Sequence, residues 1–337
     1  MVAPRISWRT AAVTGVATVL AGSSAGTASW AAYRLLMAQA GAARGIIGRD
    51  TSKPPEADGI YTTGCDTPEP WRPGKPVDVH LMIFGDSTAA GVGCVTAEEV
   101  PGVRIARGLA AATGARIRVS TKAISGATSK GLAGQVDAMF VAGPPPDAAV
   151  IFIGANDITK KHSITASARR LGAAVARLRL AGSVVVVGTC PDLGTVAAIP
   201  QPLRTLVRNW SIRLAKAQFA VTATAGGQPV TMGDLGPEFL TAPDDLFAED
   251  GFHPSAAGYA LAAEHILPVL VTALARQHTT THSAQSAERR RIVARLREFV
   301  IVRNGAVPRT GIVASDSAVP ASSVETRNDR GDVPDTT

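Results

Sequence analysis

The sequence predicts an α/β fold in which a mostly parallel, five-stranded sheet is covered by helices on both faces. Three observations lead to this prediction. From Val77 onward, short apolar runs alternate with stretches of helical periodicity, which is typical of βα units. Some runs, such as VVVV at 184–187, are wholly apolar, as in strands buried on both faces. Polar and glycine motifs directly follow the runs, where parallel sheets bind ligands.

The five predicted strands share a short length and an apolar composition. VHLMIFG at 79–85, DAAVIFIG at 147–154 and SVVVVG at 183–188 are almost continuously apolar, which indicates buried strands. ARIRVST at 115–121 alternates apolar and polar residues with the period of a strand. QPVTMGD at 228–234 predicts a last, short strand.

The predicted helices lie between these strands or follow them. Their apolar residues recur with helical periodicity, and the first of them ends at a glycine, a common helix stop. Parallel strands need such crossover connections, so the helices support the parallel arrangement. The predicted helical ranges are 103–114, 129–143, 163–182, 202–223 and 255–275.

The N-terminal segment, residues 1–40, is predicted to be a signal peptide or a signal-anchor transmembrane segment. Arg5 and Arg9 precede a stretch without charge that continues to Arg34, about long enough to cross a bilayer. AQA at 38–40 fits a small-residue cleavage site. A cytosolic extension is the remaining alternative. Both leading interpretations export the rest of the chain to the cell envelope, as a membrane-anchored or a secreted protein.

The remaining chain divides into three parts by composition. Residues 41–76 are rich in Pro and Gly and predict a linker and entry loop. Residues 77–275 contain the alternating strands and helices. Residues 276–337 combine a basic, helix-like stretch with a polar tail that has the composition of a disordered segment. Within that part, 286–303 predicts a helix that either lies on an anionic membrane surface or docks on its own domain.

Composition excludes some classes of function. The chain of 337 residues has a formal net charge of +7, which suits an anionic partner. However, aromatic residues make up only 4%, and no zinc-finger spacing or helix-turn-helix signal occurs, so nucleic-acid binding is not expected. Cys65, Cys94 and Cys190 are too widely spaced for a metal site. In an exported protein Cys65 and Cys94 could pair; the alternative is three buried thiols.

Five polar motifs predict a site at one edge of the sheet. GDS, SGATS, GAND and GTCPDLG follow the first four predicted strands, and DGFHPS precedes the last helix. Because the carboxyl ends of parallel strands meet at one edge, we expect these motifs to converge. Taken singly, each motif could be an ordinary cap or turn. Their common placement and order favour a catalytic site.

The residue types suit nucleophilic catalysis by a serine. Ser87 in GDS needs a base and an orienting partner for that base, and His253 with Asp250 three residues before it supplies both. A developing oxyanion needs donors, for which the candidates are the backbone N–H groups of Ser87 and Gly126 and the side-chain amide of Asn156. We expect Asp157 to brace the GAND loop, and Asp192 has no assigned role.

The motifs GDS, SGAT, GAND and DGFHPS, in this order, resemble the sequence blocks of the SGNH, or GDSL-type, hydrolase family. The resemblance covers about 77–275 and implies a flavodoxin-like three-layer α/β/α sandwich that needs no cofactor. It implies that Ser87 is the nucleophile, His253 the base and Asp250 its partner, and that Ser87, Gly126 and Asn156 form the oxyanion hole. The first block is GDST rather than GDSL. The Gly-x-Ser-x-Gly elbow of other serine hydrolases is absent, because Ala89 stands two residues after Ser87.

The resemblance implies a serine ester hydrolase that cleaves O-acyl esters of envelope lipids or glycans through an acyl-enzyme. VVVVGTCPDLG and GFHPSAAGY resemble an envelope-associated branch from high-GC Gram-positive bacteria. An acyltransferase with the same triad and a non-catalytic envelope-binding protein are the alternatives. The expected partners are a small-molecule, lipid or glycan ester and the membrane, through the N-terminal segment. Neither a cofactor nor a metal is expected.

Overall fold

The computed structural model describes residues 29–42, 45, 53–65, 67–277 and 279. These residues belong to one compact unit, Met1–Thr281, while a second unit, His282–Thr337, lies outside the described residues. The predicted signal or anchor segment is therefore described only from residue 29. The predicted basic helix and polar tail at 276–337 fall almost wholly outside the described residues, the stretch 286–303 included.

Among the described residues, the sheet has six strands in the order β1-β3-β2-β4-β5-β6, one more than predicted. Strands β2 to β6 are parallel, and β1 pairs antiparallel with β3. Counted among themselves, the parallel strands have the order 2-1-3-4-5, which is the flavodoxin-like order. The strands are β1 Gly59–Tyr61, β2 Val79–Gly85, β3 Ile117–Thr121, β4 Ala148–Phe152, β5 Val184–Gly188 and β6 Gln228–Val230. The predicted α/β fold is confirmed.

The extra strand, β1, lies in the stretch 41–76 that was predicted to be a linker and entry loop. Gly59 pairs with Val119 and Tyr61 with Ile117, so this short strand closes one edge of the sheet. Tyr61 is fully buried, and its hydroxyl donates a hydrogen bond of 2.7 Å to the carbonyl of Ala57. At least this part of 41–76 is therefore integral to the domain.

The helices cover both faces of the sheet. Leu81 and Ile83 of β2 face one core, which is covered by the helices Pro101–Thr113 and Ala256–Gln277. Met82 and Phe84 face a second core on the opposite face, which is covered by the helices Ser129–Ala142 and Ile164–Leu180. This alternation follows from the two-residue period of a strand. The helices are α1 at 29–42, α2 Ser87–Ala90, α3 Pro101–Thr113, α4 Ser129–Ala142, α5 Ala155–Thr159, α6 Ile164–Leu180, α7 Leu203–Thr224, α8 Gly236–Thr241, α9 Pro243–Leu246 and α10 Ala256–Gln277.

Helix α10 is long and apolar enough, by length and composition alone, to cross a membrane. One stripe of it nevertheless packs into the first core: Tyr259, Ala263, Ile266, Leu270 and Leu274 are all buried there. The spacing of these residues, three or four apart, is that of the buried face of an amphipathic helix. The apolar composition of α10 is therefore explained by its packing in the core of the domain.

Candidate active site

Ser87 is the first residue of α2, directly beyond the carboxyl end of β2. A side chain on Gly85 would lie 1.8 Å from the carbonyl oxygen of Phe152, and Gly85 has a φ of +138°, so only glycine fits here. Asp86 caps the helix, because its carboxylate accepts a hydrogen bond of 3.0 Å from the Thr88 amide. These local constraints place the Ser87 hydroxyl at the sheet edge. The Ser87 N–H, in the first turn of the helix, has no intrahelical partner.

The Asp86 carboxyl is buried, and burial raises its pKa from 3.8 to about 6. Hydrogen bonds from the backbone amides of Thr88 and Gly154 and the nearby His253 offset only part of that effect. Because the folded chain holds this proton more tightly than the unfolded chain, the contribution of Asp86 to stability is largest below about pH 4 and is lost as the pH rises to about 6.

We expect Asp86→Asn to remove this pH dependence. The amide oxygen can still accept from the Thr88 amide, and no charge is buried at high pH. The free energy of unfolding of the variant minus that of the parent should therefore rise by on the order of 3 kcal/mol from pH 4 to pH 7. Urea unfolding at both pH values measures it, with the exposed Asp137→Asn as the control. An equal difference between variant and parent at both pH values would contradict the assignment.

The structure brings Ser87, His253 and Asp250 into one hydrogen-bonded relay. The Ser87 Oγ lies 2.9 Å from His253 Nε2, and His253 Nδ1 lies 2.5 Å from Asp250 Oδ2. When Nδ1 donates its proton to Asp250, Nε2 is left as an acceptor for the Ser87 hydroxyl. The side chains of His253 and Asp250 are both buried. This geometry is that of a nucleophile, a base and an orienting carboxylate.

A tight turn holds Asp250 in place. Its other oxygen, Oδ1, accepts hydrogen bonds of 2.9 Å from the backbone amides of Phe252 and His253. Burial by itself raises the pKa of Asp250, but these hydrogen bonds and the one from the His253 ring outweigh burial and hold that pKa below its usual value. Asp250 therefore stays ionised and can stabilise a positively charged His253. Ser255 accepts from the Gly258 amide and so begins α10, as the sequence predicts.

The two other candidate oxyanion donors lie on neighbouring loops at the same edge. Gly126 follows β3 and has a φ of +76°, which favours glycine. Asn156 is the second residue of α5, directly after β4. Within the described part of the chain, neither the Gly126 N–H nor the Asn156 side-chain amide has a hydrogen-bond partner. Both groups are therefore available to a ligand. The two loops flank β2, at the switch point of the sheet.

Asp157 fastens these loops together, which confirms its predicted bracing role. Its buried carboxylate accepts hydrogen bonds from the Ser129 amide at 2.8 Å and from the Ser129 and Ser167 hydroxyls, each at 2.7 Å. The Lys160 ammonium donates to the Gly126 carbonyl at 2.8 Å. The loop of Gly126 and the helix of Asn156 are thus held in one arrangement.

Two buried glutamines hold the strand ends that carry these loops. Gln135 of α4 binds both backbone groups of Gly85, at 2.8 and 2.7 Å. Gln218 of α7 accepts from the Cys190 amide at 2.6 Å and donates to the Ile153 carbonyl at 2.8 Å. Sequence reasoning missed both residues. The available signal was a polar residue on the buried stripe of an amphipathic helix.

An apolar cavity of about 100 Å³ lies beside the relay. Asp86 and Thr88, on either side of Ser87, contribute to its wall, as do Phe252 and Pro254, on either side of His253. Other lining residues are mostly apolar and include Phe152, Val196, Met232, Leu235 and Phe239. Asp192, unassigned from sequence, lines it too and pairs with Arg208 at 3.1 Å. The cavity suits an apolar part of a ligand.

The three cysteines carry free thiols, so the possible Cys65–Cys94 pair is not formed. The alternative of three buried thiols is also wrong for Cys65, which is exposed. Burial raises the pKa of Cys190 well above its usual value, which keeps that thiol protonated and unreactive. Cys190 is therefore not a competitor to Ser87 as a nucleophile.

The chain is similar to proteins of known class. The model of the GDSL-like lipase/acylhydrolase family matches residues 83–261. The GDSL-like esterase Rv1075c of Mycobacterium tuberculosis is 59% identical over 260 residues, covering 77% of this chain and 83% of that protein. Among solved structures, TesA has a TM-score of 0.48 at 23% identity, covering 58% of this chain and 99% of its own. A catalytic mutant of the acetylxylan esterase Axe2 from Geobacillus stearothermophilus has a TM-score of 0.46 at 21% identity, covering 58% and 94%.

The fold and this edge of the sheet define a serine ester hydrolase. The chain belongs to the GDSL-like lipase/acylhydrolase family, since the family model covers more than half of it. Its similarity to a mycobacterial esterase accords with an origin in high-GC Gram-positive bacteria.

Proposed function

We propose that the protein cleaves O-acyl esters of envelope lipids or glycans through an acyl-enzyme on Ser87. The observation that carries this proposal is the relay from Ser87 Oγ through His253 to Asp250, with distances of 2.9 and 2.5 Å. A relay of this kind activates a hydroxyl that is unreactive by itself. The relative named a GDSL-like esterase supports the same class of reaction.

The proposed reaction has two halves. Ser87 Oγ attacks the ester carbonyl carbon while His253 Nε2 takes its proton, and the ionised Asp250 stabilises the imidazolium. The N–H groups of Ser87 and Gly126 and the Asn156 amide donate to the oxyanion. His253 then gives its proton to the departing alcohol. In the second half, water attacks the acyl-enzyme, His253 accepts and returns the proton, and the carboxylic acid leaves.

We propose further that the apolar cavity beside Ser87 takes the acyl group. Each buried methylene stabilises binding by about 0.8 kcal/mol, so kcat/KM should rise with acyl length until the cavity is full and fall beyond that point. A series of nitrophenyl esters of graded acyl length tests it. Val196→Phe, which fills part of the cavity, should move the optimum to shorter chains. A flat series that the variant does not alter would place the acyl group elsewhere.

The same assay separates the alternative functions. With a sugar or lipid alcohol added as acceptor, free acid as the product supports the hydrolase, whereas an acylated acceptor would make the protein an acyltransferase. Absence of turnover on every ester would favour the non-catalytic envelope-binding protein.

We also propose that the protein is exported and stays anchored through its N-terminal segment. Gln39, in the middle of the AQA cleavage candidate, lies in α1, and its side-chain amide donates to the Gln201 carbonyl at 2.5 Å and accepts from the Leu203 amide at 3.2 Å. These contacts make the segment around Gln39 part of the folded domain, which supports a retained anchor over a cleaved signal peptide.

A further inference from the structure

Helix α1 docks at the end of the domain that carries the candidate active site. Gln39 contacts the residues that begin α7, and the Lys161 ammonium lies 3.5 Å from the Met37 sulfur. Lys161 follows α5, the helix of Asn156, and its neighbour Lys160 binds the Gly126 carbonyl. Met37 of α1 thus contacts the segment that follows the helix of Asn156, and the same segment binds the Gly126 loop through Lys160.

The first two turns of α1 are open to solvent. All residues from 29 to 35 are exposed, including Trp30 at 63% and Tyr33 at 57%, and burial begins only at Leu36. The sequence from Thr10 to Tyr33 is uncharged. In a helix, Tyr33 and Gln39 are about 9 Å apart along the axis. If the uncharged stretch lies in a bilayer, the docked third turn leaves almost no spacer between that bilayer and the domain.

The side of the site next to α1 is rich in basic residues, whereas the opposite side is rich in acidic ones. We call the four contacting segments 29–42, 122–130, 155–164 and 200–213 the rim. The rim contains a single acidic residue, Asp157, which is buried, and eight basic residues: Arg34, Lys122, Lys130, Lys160, Lys161, Arg204, Arg208 and Arg213. On the His253 side, the segment 234–255 contains six acidic residues and no Lys or Arg. The rim therefore attracts an anionic surface, and the opposite side repels one.

The rim also exposes large apolar side chains. Trp30, Tyr33 and Leu35 of α1, Ile124 of the Gly126 loop, and Leu206 and Trp210 of α7 are all at least two-fifths exposed. Trp and Tyr beside Lys and Arg are the residues that membrane proteins place at the lipid–water interface. This mixture matches the chemistry of a lipid headgroup layer.

We propose that the rim seats on an anionic bilayer, with the candidate active site opening toward the lipid headgroups. The N-terminal segment tethers the chain, and the rim sets the orientation of the domain. The source of the ester then follows: it reaches Ser87 from the membrane surface. The delivery of the ester from the membrane surface rests on the proposed function, whereas the orientation of the domain does not.

Two positions on α7 test the orientation. Leu206 and Phe219 are 42% and 46% exposed, and they lie about 20 Å apart along the helix. In the full chain carrying Cys65→Ser, Leu206→Cys and Phe219→Cys are each labelled with a small fluorophore and reconstituted in vesicles with brominated phosphatidylglycerol. The label at 206 should be quenched several-fold more than the label at 219. Equal quenching, or stronger quenching at 219, would overturn the proposal.

Lipid charge tests the identity of the surface. When brominated phosphatidylcholine replaces the anionic lipid, quenching at 206 should fall by at least half, and high salt should have the same effect on the anionic vesicles. Quenching at 206 that is insensitive to both changes would overturn the assignment of an anionic surface.

Activity tests the consequence for substrate access. Trp210→Ser should lower kcat/KM on a vesicle-embedded ester several-fold while leaving a water-soluble ester unaffected, and Phe219→Ser should change neither. Equal loss on both esters would show a role other than docking. A parent protein that cleaves neither ester would refute the proposed function, and the fluorescence result would still decide the orientation.

Discussion

Ser87→Ala is expected to abolish ester hydrolysis and to prevent labelling by a serine-directed phosphonate. The hydroxyl is the atom that would form the acyl bond, and alanine provides no substitute. In well-studied serine hydrolases, loss of the nucleophile lowers kcat by about 10⁶. The His253–Asp250 pair would remain in place, so the loss should occur without a change in thermal stability. Steady-state kinetics and intact-protein mass spectrometry measure the two effects.

Variants of the two partners should give a graded series. His253→Ala removes the base and should cost about as much as Ser87→Ala, because the relay acts as a unit. Asp250→Asn keeps the turn but supplies an amide that can hold the ring in the wrong tautomer, so we expect a loss of about 10⁴. Labelling should follow the same order. It depends on the same proton transfer from Ser87 Oγ to Nε2.

Ser125→Ala is the matched control, because Ser125 is exposed in the Gly126 loop. Labelling should be unchanged in this variant. An adduct mapped to Ser125 or Ser129, or full labelling of Ser87→Ala, would contradict the assignment and return the GDST segment to the role of a helix cap.

Local patterns predict the central sheet well. The first parallel strand, Val79–Gly85, has the bounds that its apolar run predicts, and the other four lie within the predicted ranges. Buried parallel strands leave a strong sequence signal, since both faces must be apolar. Strand β1 leaves none: it is three residues long, lies among prolines and glycines, and is defined by pairing with β3, over fifty residues away.

The contacts of the site likewise divide into local ones, which the sequence predicts, and long-range ones, which depend on the fold. Asp250 and His253 are three residues apart, so their contact follows from a single turn, whereas Ser87 and His253 meet only because the fold brings distant loops together. Order and placement of motifs predicted that meeting. They did not predict the glutamine clamps, because Gln135 binds backbone groups of Gly85, and a backbone partner leaves no residue-specific trace in the sequence.

Asn156→Ala is expected to lower kcat by about a hundredfold or more while leaving the stability of the fold almost unchanged. The side-chain amide has no partner in the described part of the chain, so its removal breaks no hydrogen bond of the folded protein. In the reaction it would donate to an oxyanion, and loss of one such donor costs about 3 to 4 kcal/mol of barrier.

Asp157, next to Asn156, is expected to affect stability where Asn156 does not. Asp157→Asn should destabilise the fold, because its carboxylate accepts hydrogen bonds from Ser129 and Ser167, and an amide offers only one acceptor oxygen to them. Urea unfolding should therefore separate the two variants: a lower free energy of unfolding for Asp157→Asn, and an unchanged one for Asn156→Ala.

The KM of Asn156→Ala adds a second criterion, since a donor used only in the transition state changes kcat and leaves KM almost constant. Parental turnover in Asn156→Ala would show that the residue only shapes the turn, and the oxyanion would then depend on the backbone groups of Ser87 and Gly126 alone.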